Sequence, residues 1–175
     1  MTTRHAVTSF ALAFCSFAAV LARADSAQAV DLIGGTCVPD GATIRAGLYE
    51  TAGFGIRFDH GIGKIRLLCP FLDTGHHEIG WTWLSVIDED GMEGGARVRA
   101  HFRRAAIGTN AWIAMGTCDS NTSNVTGPHK LECQLPRYKI RGDEWYWWDV
   151  EIERTNPRVN VEFLGVGARY PGPTF

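Results

Sequence analysis

Apolar and polar residues alternate with a period of two through most of this chain, in short runs broken by Gly, Pro, Asp and Asn. A period of two is that of a strand, whose successive side chains point to opposite faces. The pattern predicts strands in ATIRAGLYE, FGIRFDH, GKIRLLCPF, IGWTWLSVID, ARVRAHFRR, AWIAMGTC, HKLECQL, WYWWDVEIE and RVNVEFLGVGAR. Helix signals are nearly absent beyond the first 29 residues, and no repeat or linker divides the chain. Short strands with turns between them predict an all-β fold. The expected form is a single antiparallel β-sandwich, jelly-roll-like and pinned by disulfides, of eight or nine short strands.

The alternation also assigns faces. In ARVRAHFRR, Val98, Ala100 and Phe102 share one face, while Arg97, Arg99, His101 and Arg103 share the other, with Arg104 following. In RVNVEF, Val159, Val161 and Phe163 read as inward and Arg158, Asn160 and Glu162 as outward. IGWTWLSVID is apolar on both faces, the mark of a central or covered strand.

EWYWWDVEIE (144–153) is the most informative run. Tyr146, Trp148, Val150 and Ile152 fall on one face, and Trp145, Trp147, Asp149 and Glu151 on the other. Two unpaired carboxylates are costly to bury, so the face of Asp149 and Glu151 is the wet one. Tyr146 and Trp148 are then core. Trp145 and Trp147 form an outward strip of two indoles about 7 Å apart beside two acids. Sugar rings stack on such strips and bond their hydroxyls to neighbouring carboxylates, so the four residues are the candidate ligand site. Coverage by a loop and burial in a subunit interface are the competing readings.

Residues 1–29 read as a secretory leader. Arg4 supplies the positive start, AVTSFALAFCSFAAVLA the apolar stretch and AQA the cleavage site. Cleavage would leave one domain, 30–175, and would take the net charge from −2 to −3. A mildly acidic chain with no long basic run is a poor nucleic-acid ligand, and no later segment is apolar enough to span a membrane. Secretion or a periplasmic location follows. Four cysteines remain, and in an oxidising compartment they read as two bridges with three possible connectivities. The pairing nearest in sequence, Cys37–Cys69 with Cys118–Cys133, is the favoured one.

Other chemistry is thin. DEDGMEGG suits a hairpin turn and offers Asp88, Asp90 and Glu93 as a weak calcium candidate, without the full twelve-residue loop. GHHE (75–78) lacks zinc-binding spacing, and His60, His101 and His129 are scattered. No G-x-S-x-G elbow is present. Asp149 and Glu151 leave one strand in the same direction, a poor arrangement for flanking a glycosidic bond. No cofactor is expected. The row of arginines either pairs across the sheet with Asp149, Glu151 and Glu153 or meets an anionic partner.

CVPDGATI, RLLCPF, VIDEDG and YWWDVEIERTNPRVNVEFLGV together resemble a group of small secreted bacterial proteins of unassigned function. The resemblance implies a disulfide-pinned sandwich and a bacterial source, and it carries no catalytic residue and no ligand. The sequence therefore points to a secreted, non-catalytic binding module for polysaccharide or another envelope component. A structural protein that contacts an envelope protein is the alternative, and a small hydrolase a distant third.

Overall fold

A computed structural model describes residues 29–71 and 78–169. The expected leader lies outside these residues except for Ala29, and so do Gly75, His76 and His77 of the histidine turn. Eleven strands form two antiparallel sheets. The first sheet runs β3 (Tyr49–Ala52), β4 (Gly55–Phe58), β11 (Val161–Arg169), β6 (Glu78–Asp88), β9 (Gly127–Lys139), and β1 (Ala29–Ile33) also pairs with β11. The second runs β2 (Val38–Pro39), β5 (Gly63–Pro70), β10 (Glu144–Arg154), β7 (Ala96–Ala106), β8 (Ile113–Asp119). Strands consecutive from β4 to β7 alternate between the sheets, as do those from β8 to β11.

The inward faces meet in one core. From the second sheet, Ile65, Leu67, Val98, Ala100, Phe102, Trp148, Val150 and Ile152 are fully buried. They share one cluster with Leu84, Val86, Val161, Phe163 and Val166 of the first sheet, also fully buried. Each fully buried aliphatic or Phe side chain contributes about 1.5–3 kcal/mol of transfer free energy. Trp148 anchors this core, with its ring centre 5.2 Å from that of Phe102 and 5.4 Å from that of Phe71. Its indole N–H donates to Thr82 Oγ1 across the sandwich, and that hydroxyl donates to the Gly167 carbonyl. The one polar atom of the ring is thereby satisfied.

Two disulfides close the structure. Cys37–Cys69 fastens the segment before β2 to the end of β5. Cys118–Cys133 joins β8 to β9, the edge strands of opposite sheets. Each closes a loop whose entropy in the unfolded chain is worth about 3 kcal/mol.

Three features depart from the sequence reading. The described residues hold eleven strands, because β1 and β2 are too short or too irregular to carry an alternation signal. The first half of ATIRAGLYE is a helix, α1 (Gly41–Ala46), not a strand. Asp40 caps it by accepting the Thr43 N–H at 2.7 Å, and Gly47 ends it at φ 62°, where a side chain would be strained. Glu162, read as outward, is only 6 % exposed. β11 is a central strand, so Arg57 of β4 and Ile87 of β6 flank Glu162 on both sides, and burial pushes its carboxyl above the ordinary range.

Candidate functional site

β10 lies between β5 and β7, so its outward side chains form the middle row of the outer face of the second sheet. Trp145 and Trp147 are on that row with Asp149 and Glu151, as alternation requires. Their surroundings differ because their cross-strand partners differ. Trp145 stands opposite Ala105, a small neighbour, and is 64 % exposed. Trp147 stands between Pro70 and Arg103 and is half-buried at its flanks.

Arg103 organises this end of the face. Its Nη2 lies 2.7 Å from Asp149 Oδ2, and its guanidinium carbon lies 3.6 Å from the centre of the Trp112 ring. Trp112, in the loop before β8, is 54 % exposed. One arginine thus fixes a carboxylate on one side and an indole on the other. Across the strands the face presents Trp112, Arg103 and Trp147 in series, with Trp145 one step along β10.

The charges further along the strands are matched. Glu151 binds Lys64 at 3.2 Å and Arg66 at 3.4 Å, and Glu153 lies 3.5 Å from Lys64. Burial alone would raise the Glu151 carboxyl, but Lys64, Arg66 and Arg99 outweigh it and hold it below the ordinary range. Arg97 donates to both oxygens of Asp119, with Arg99 at 3.6 Å. There too burial opposes ionisation, and the Arg97 hydrogen bonds prevail, so the Asp119 carboxyl is held low. His101 is depressed below 6.5, first by burial and then by Arg103, and shares a hydrogen bond with Thr117.

β7 and β10 are therefore neighbours, with Arg97 opposite Glu153 and Arg99 opposite Glu151. Of the expected pairings between the arginine row and the β10 acids, however, only Arg103–Asp149 forms an ion pair among the described residues. The other acids turn to β5 and the other arginines to β8. Arg104 leaves the row altogether: it points into the end of the sandwich, where it binds Glu144 and the Tyr138 hydroxyl. Glu144 also accepts from Tyr138 and Tyr146, and these bonds with Arg104 overcome burial to keep its carboxyl low.

Two shallow depressions border the aromatic end. One of about 230 Å³ is lined by Asp40, Arg66, Leu67, Leu68 and Asp149. The other, of about 270 Å³, is lined by Ala105 and Ala106 of β7, by Ala111 and Ile113 on either side of Trp112, and by Thr109, Arg104 and Glu144. Both are smaller than an ordinary small-molecule cavity of roughly 300–1,000 Å³. Among the described residues the site is an open aromatic face, suited to stacking, rather than an enclosed chamber. A general acid for glycoside hydrolysis needs a raised carboxyl, and Glu151 is shifted the other way.

The other sequence candidates fall elsewhere. Asp88 is fully buried at the end of β6, while Glu93 is exposed on the far side of the turn. Among the described residues no three Asp, Glu, His or Cys side chains converge as a metal site. Trp112 and Arg103 are the site residues that the sequence reading missed in role. Trp112 was placed within a strand that begins one residue later, and its stacking on Arg103 depends on the β7–β8 pairing.

No protein-family model matches the sequence, and no curated protein matches it. Among solved structures, the chain is similar to the CBM36-1 domain of a multidomain xylanase from the hindgut metagenome of Trinervitermes trinervoides. The identity is 10 %, the TM-score 0.45, and the match covers 83 % of this chain and 99 % of that one. It is also similar to CBM86, a low-affinity xylan-binding module from the gut symbiont Roseburia intestinalis, at 12 % identity and a TM-score of 0.38, over 82 % and 96 % of the two chains. A likeness of this degree fixes neither the fold nor the ligand of the present chain.

Proposed function

We propose that this protein is a secreted or periplasmic, non-catalytic carbohydrate-binding module, and that its ligand lies on the outer face of the second sheet. The strand order supports a jelly-roll form: β4-β11-β6-β9 facing β5-β10-β7-β8 is that of two interlocked Greek keys. Two disulfides suit an oxidising compartment, and among the described residues no helix is long and apolar enough to cross a membrane.

The observation that carries the reading is the exposed indole of Trp145 beside Trp147, with Trp112 clamped by Arg103 on the same face. Large aromatics held rigid and left uncovered lose little entropy on binding a flat, partly apolar ligand. Sugar rings have such faces, and Asp149, oriented by Arg103, offers them an acceptor. Glu151 takes a supporting part, since Lys64 and Arg66 already occupy it.

The test is tryptophan fluorescence of the purified protein, with a soluble quencher and then a panel of neutral and acidic polysaccharides. One polysaccharide is expected to protect a quencher-accessible component that Trp145→Ala removes. That substitution should weaken binding at least about tenfold, or 1.4 kcal/mol, as truncation of a central aromatic contact does. Protection by no polysaccharide, together with a mass that rises with protein concentration, would overturn the proposal in favour of a protein-contact surface.

A further inference from the structure

The row of outward side chains does not end at Asp149. Leu68 of β5 stands opposite Asp149 and is 49 % exposed, and Arg66 stands one step further, opposite Glu151. Beside them α1 is fastened to β5. The Asp40 N–H donates to the Arg66 carbonyl at 2.9 Å, and the Arg66 N–H donates to Thr43 Oγ1 at 2.8 Å. Two depressions lie where α1 and its Asp40 cap meet this strand. The one of about 230 Å³ that borders the aromatic end joins Asp149 and Leu68 to Asp40 and Arg66. The next, of about 280 Å³, has Asp40 and Arg66 in its wall again and continues to Lys64 and to Ala42 and Ala46 of α1. They adjoin through the two shared residues, and joined they pass the roughly 300 Å³ at which small-molecule sites begin.

The polar groups around them are open to a ligand. Arg66 lies 3.4 Å from Glu151, longer than a good hydrogen bond, and its side chain is 59 % exposed. Lys64 is 48 % exposed. Asp40 is half-buried, and the Thr43 N–H holds its carboxyl below the ordinary range, so it is an ionised acceptor. The depressions thus offer two acids, Asp40 and Asp149, and two bases, Arg66 and Lys64. Donors and acceptors in balance suit hydroxyl groups, and the cancelling charges give no field that selects an ion.

We propose that the carbohydrate site continues past Trp147 and Asp149 into these two depressions, and that its ligand is a neutral, extended, β-linked polysaccharide chain lying from Trp145 to Arg66 and Asp40. The inference rests on the aromatic face being the carbohydrate site. From Trp145 to the row shared by Glu151 and Arg66 the strand advances about 20 Å, longer than a disaccharide. Trp145 and Trp147 offer stacking surface, Leu68 an apolar shoulder beyond them, and Arg66 and Asp40 the partners for hydroxyls at the far end. A track along strands is straight, so it matches a chain whose linkages keep it extended rather than coiled.

The test is tryptophan-fluorescence titration with cello-, xylo- and manno-oligosaccharides, each from the disaccharide to the hexasaccharide, and with maltose and maltohexaose. At least one β-linked hexasaccharide should bind about tenfold or more tighter than its disaccharide, the return on hydrogen bonds to charged groups at the far end. Maltohexaose, whose α links coil the chain, should bind no tighter than maltose. The ratio of hexasaccharide to disaccharide affinity isolates the extension. Arg66→Ala should reduce that ratio below about threefold. Ala42→Gln, at an exposed position of α1, narrows the second depression and should reduce it as well. Trp145→Ala should instead weaken both lengths. The extension is overturned if hexasaccharides bind no tighter than disaccharides, if maltohexaose gains as much as the β-linked series, or if both Arg66→Ala and Ala42→Gln keep the full ratio. If no sugar of any length binds, the carbohydrate site itself falls, and this inference with it.

Discussion

Replacing Arg103 by Gln tests whether one side chain holds the aromatic face together. The arginine makes an ion pair with Asp149 and stacks on Trp112. The paired side chains are only 14 % and 29 % exposed, so the ion pair is partly shielded from solvent and is worth about 1 kcal/mol, the top of the range for surface pairs. The stacking of a guanidinium on a half-exposed indole adds about 0.5–1 kcal/mol. The single substitution should therefore cost about 1–2 kcal/mol, and Trp112→Ala less, since over half of that ring is already in water. The informative quantity is the coupling between them. A double-mutant cycle read by urea unfolding should give an Arg103/Trp112 interaction of about 0.5–1 kcal/mol. Quencher access to the Trp112 component should rise in Arg103→Gln to the level of a free indole. Additivity of the two substitutions within about 0.3 kcal/mol would refute the clamp, and Trp112 would then be only a loop residue that happens to lie nearby.

Two further outcomes follow from the same geometry. Trp148→Ala should cost about 3–5 kcal/mol, as a fully buried aromatic does, while Trp145→Ala should change stability by less than about 1 kcal/mol; similar midpoints in urea for the two variants would refute the division of β10 into core and surface rings. The protein should also lose stability on acidification. Asp119 and Glu151 have folded pKa values held below their ordinary 3.8 and 4.5, so their contribution is intact above those values and disappears as pH falls through the lower folded ones. Glu162 acts oppositely. Its folded pKa lies above 4.5, so its contribution is complete below that value and lost as pH rises through the folded one. Urea midpoints across this range should fall at the acid end, and Asp119→Asn should flatten that limb. A wild type insensitive to acid through the same range would contradict the ion-pair assignment.

The parts of this fold legible in the sequence are those where a strand has one wet face. Asp149 and Glu151 could not both be buried, and that alone sorted Trp148 from Trp147 within four adjacent aromatics. The same logic failed at Glu162, because alternation names the face and not what covers it. β11 lies between β4 and β6, and its outward residues are shielded by neighbours many residues away. It failed at ATIRAGLYE because a capping Asp40 and a terminal Gly47 outweigh a loose alternation over six residues. The ion pairs were only half legible. Opposite charge showed that the arginine row and the acids would meet cations and anions across the sheet. Which strand supplied each partner depended on β5 and β8 flanking β10 and β7, a matter of topology. Trp112 escaped for a related reason: a loop residue has no face until the strands around it are placed.

That topology gives the outer face its polarity along the strands. Toward one end of β10 lie Glu151 and Glu153, each bound to cations from β5. Arg97 and Arg99 beside them are bound to Asp119. Their charges are spent within the sheet, which leaves little field with which to attract an anionic partner. Toward the other end the alternation places Trp147 and Trp145 instead, opposite small or flat neighbours in Pro70 and Ala105. Arg103 sits at the join, and its one charge is shared between Asp149 and the π-face of Trp112. What the sheet leaves open at that end is ring surface with one oriented carboxylate. On the function proposed above, such a surface would take a ligand that is flat, neutral and rich in hydroxyls rather than one recognised by its charge.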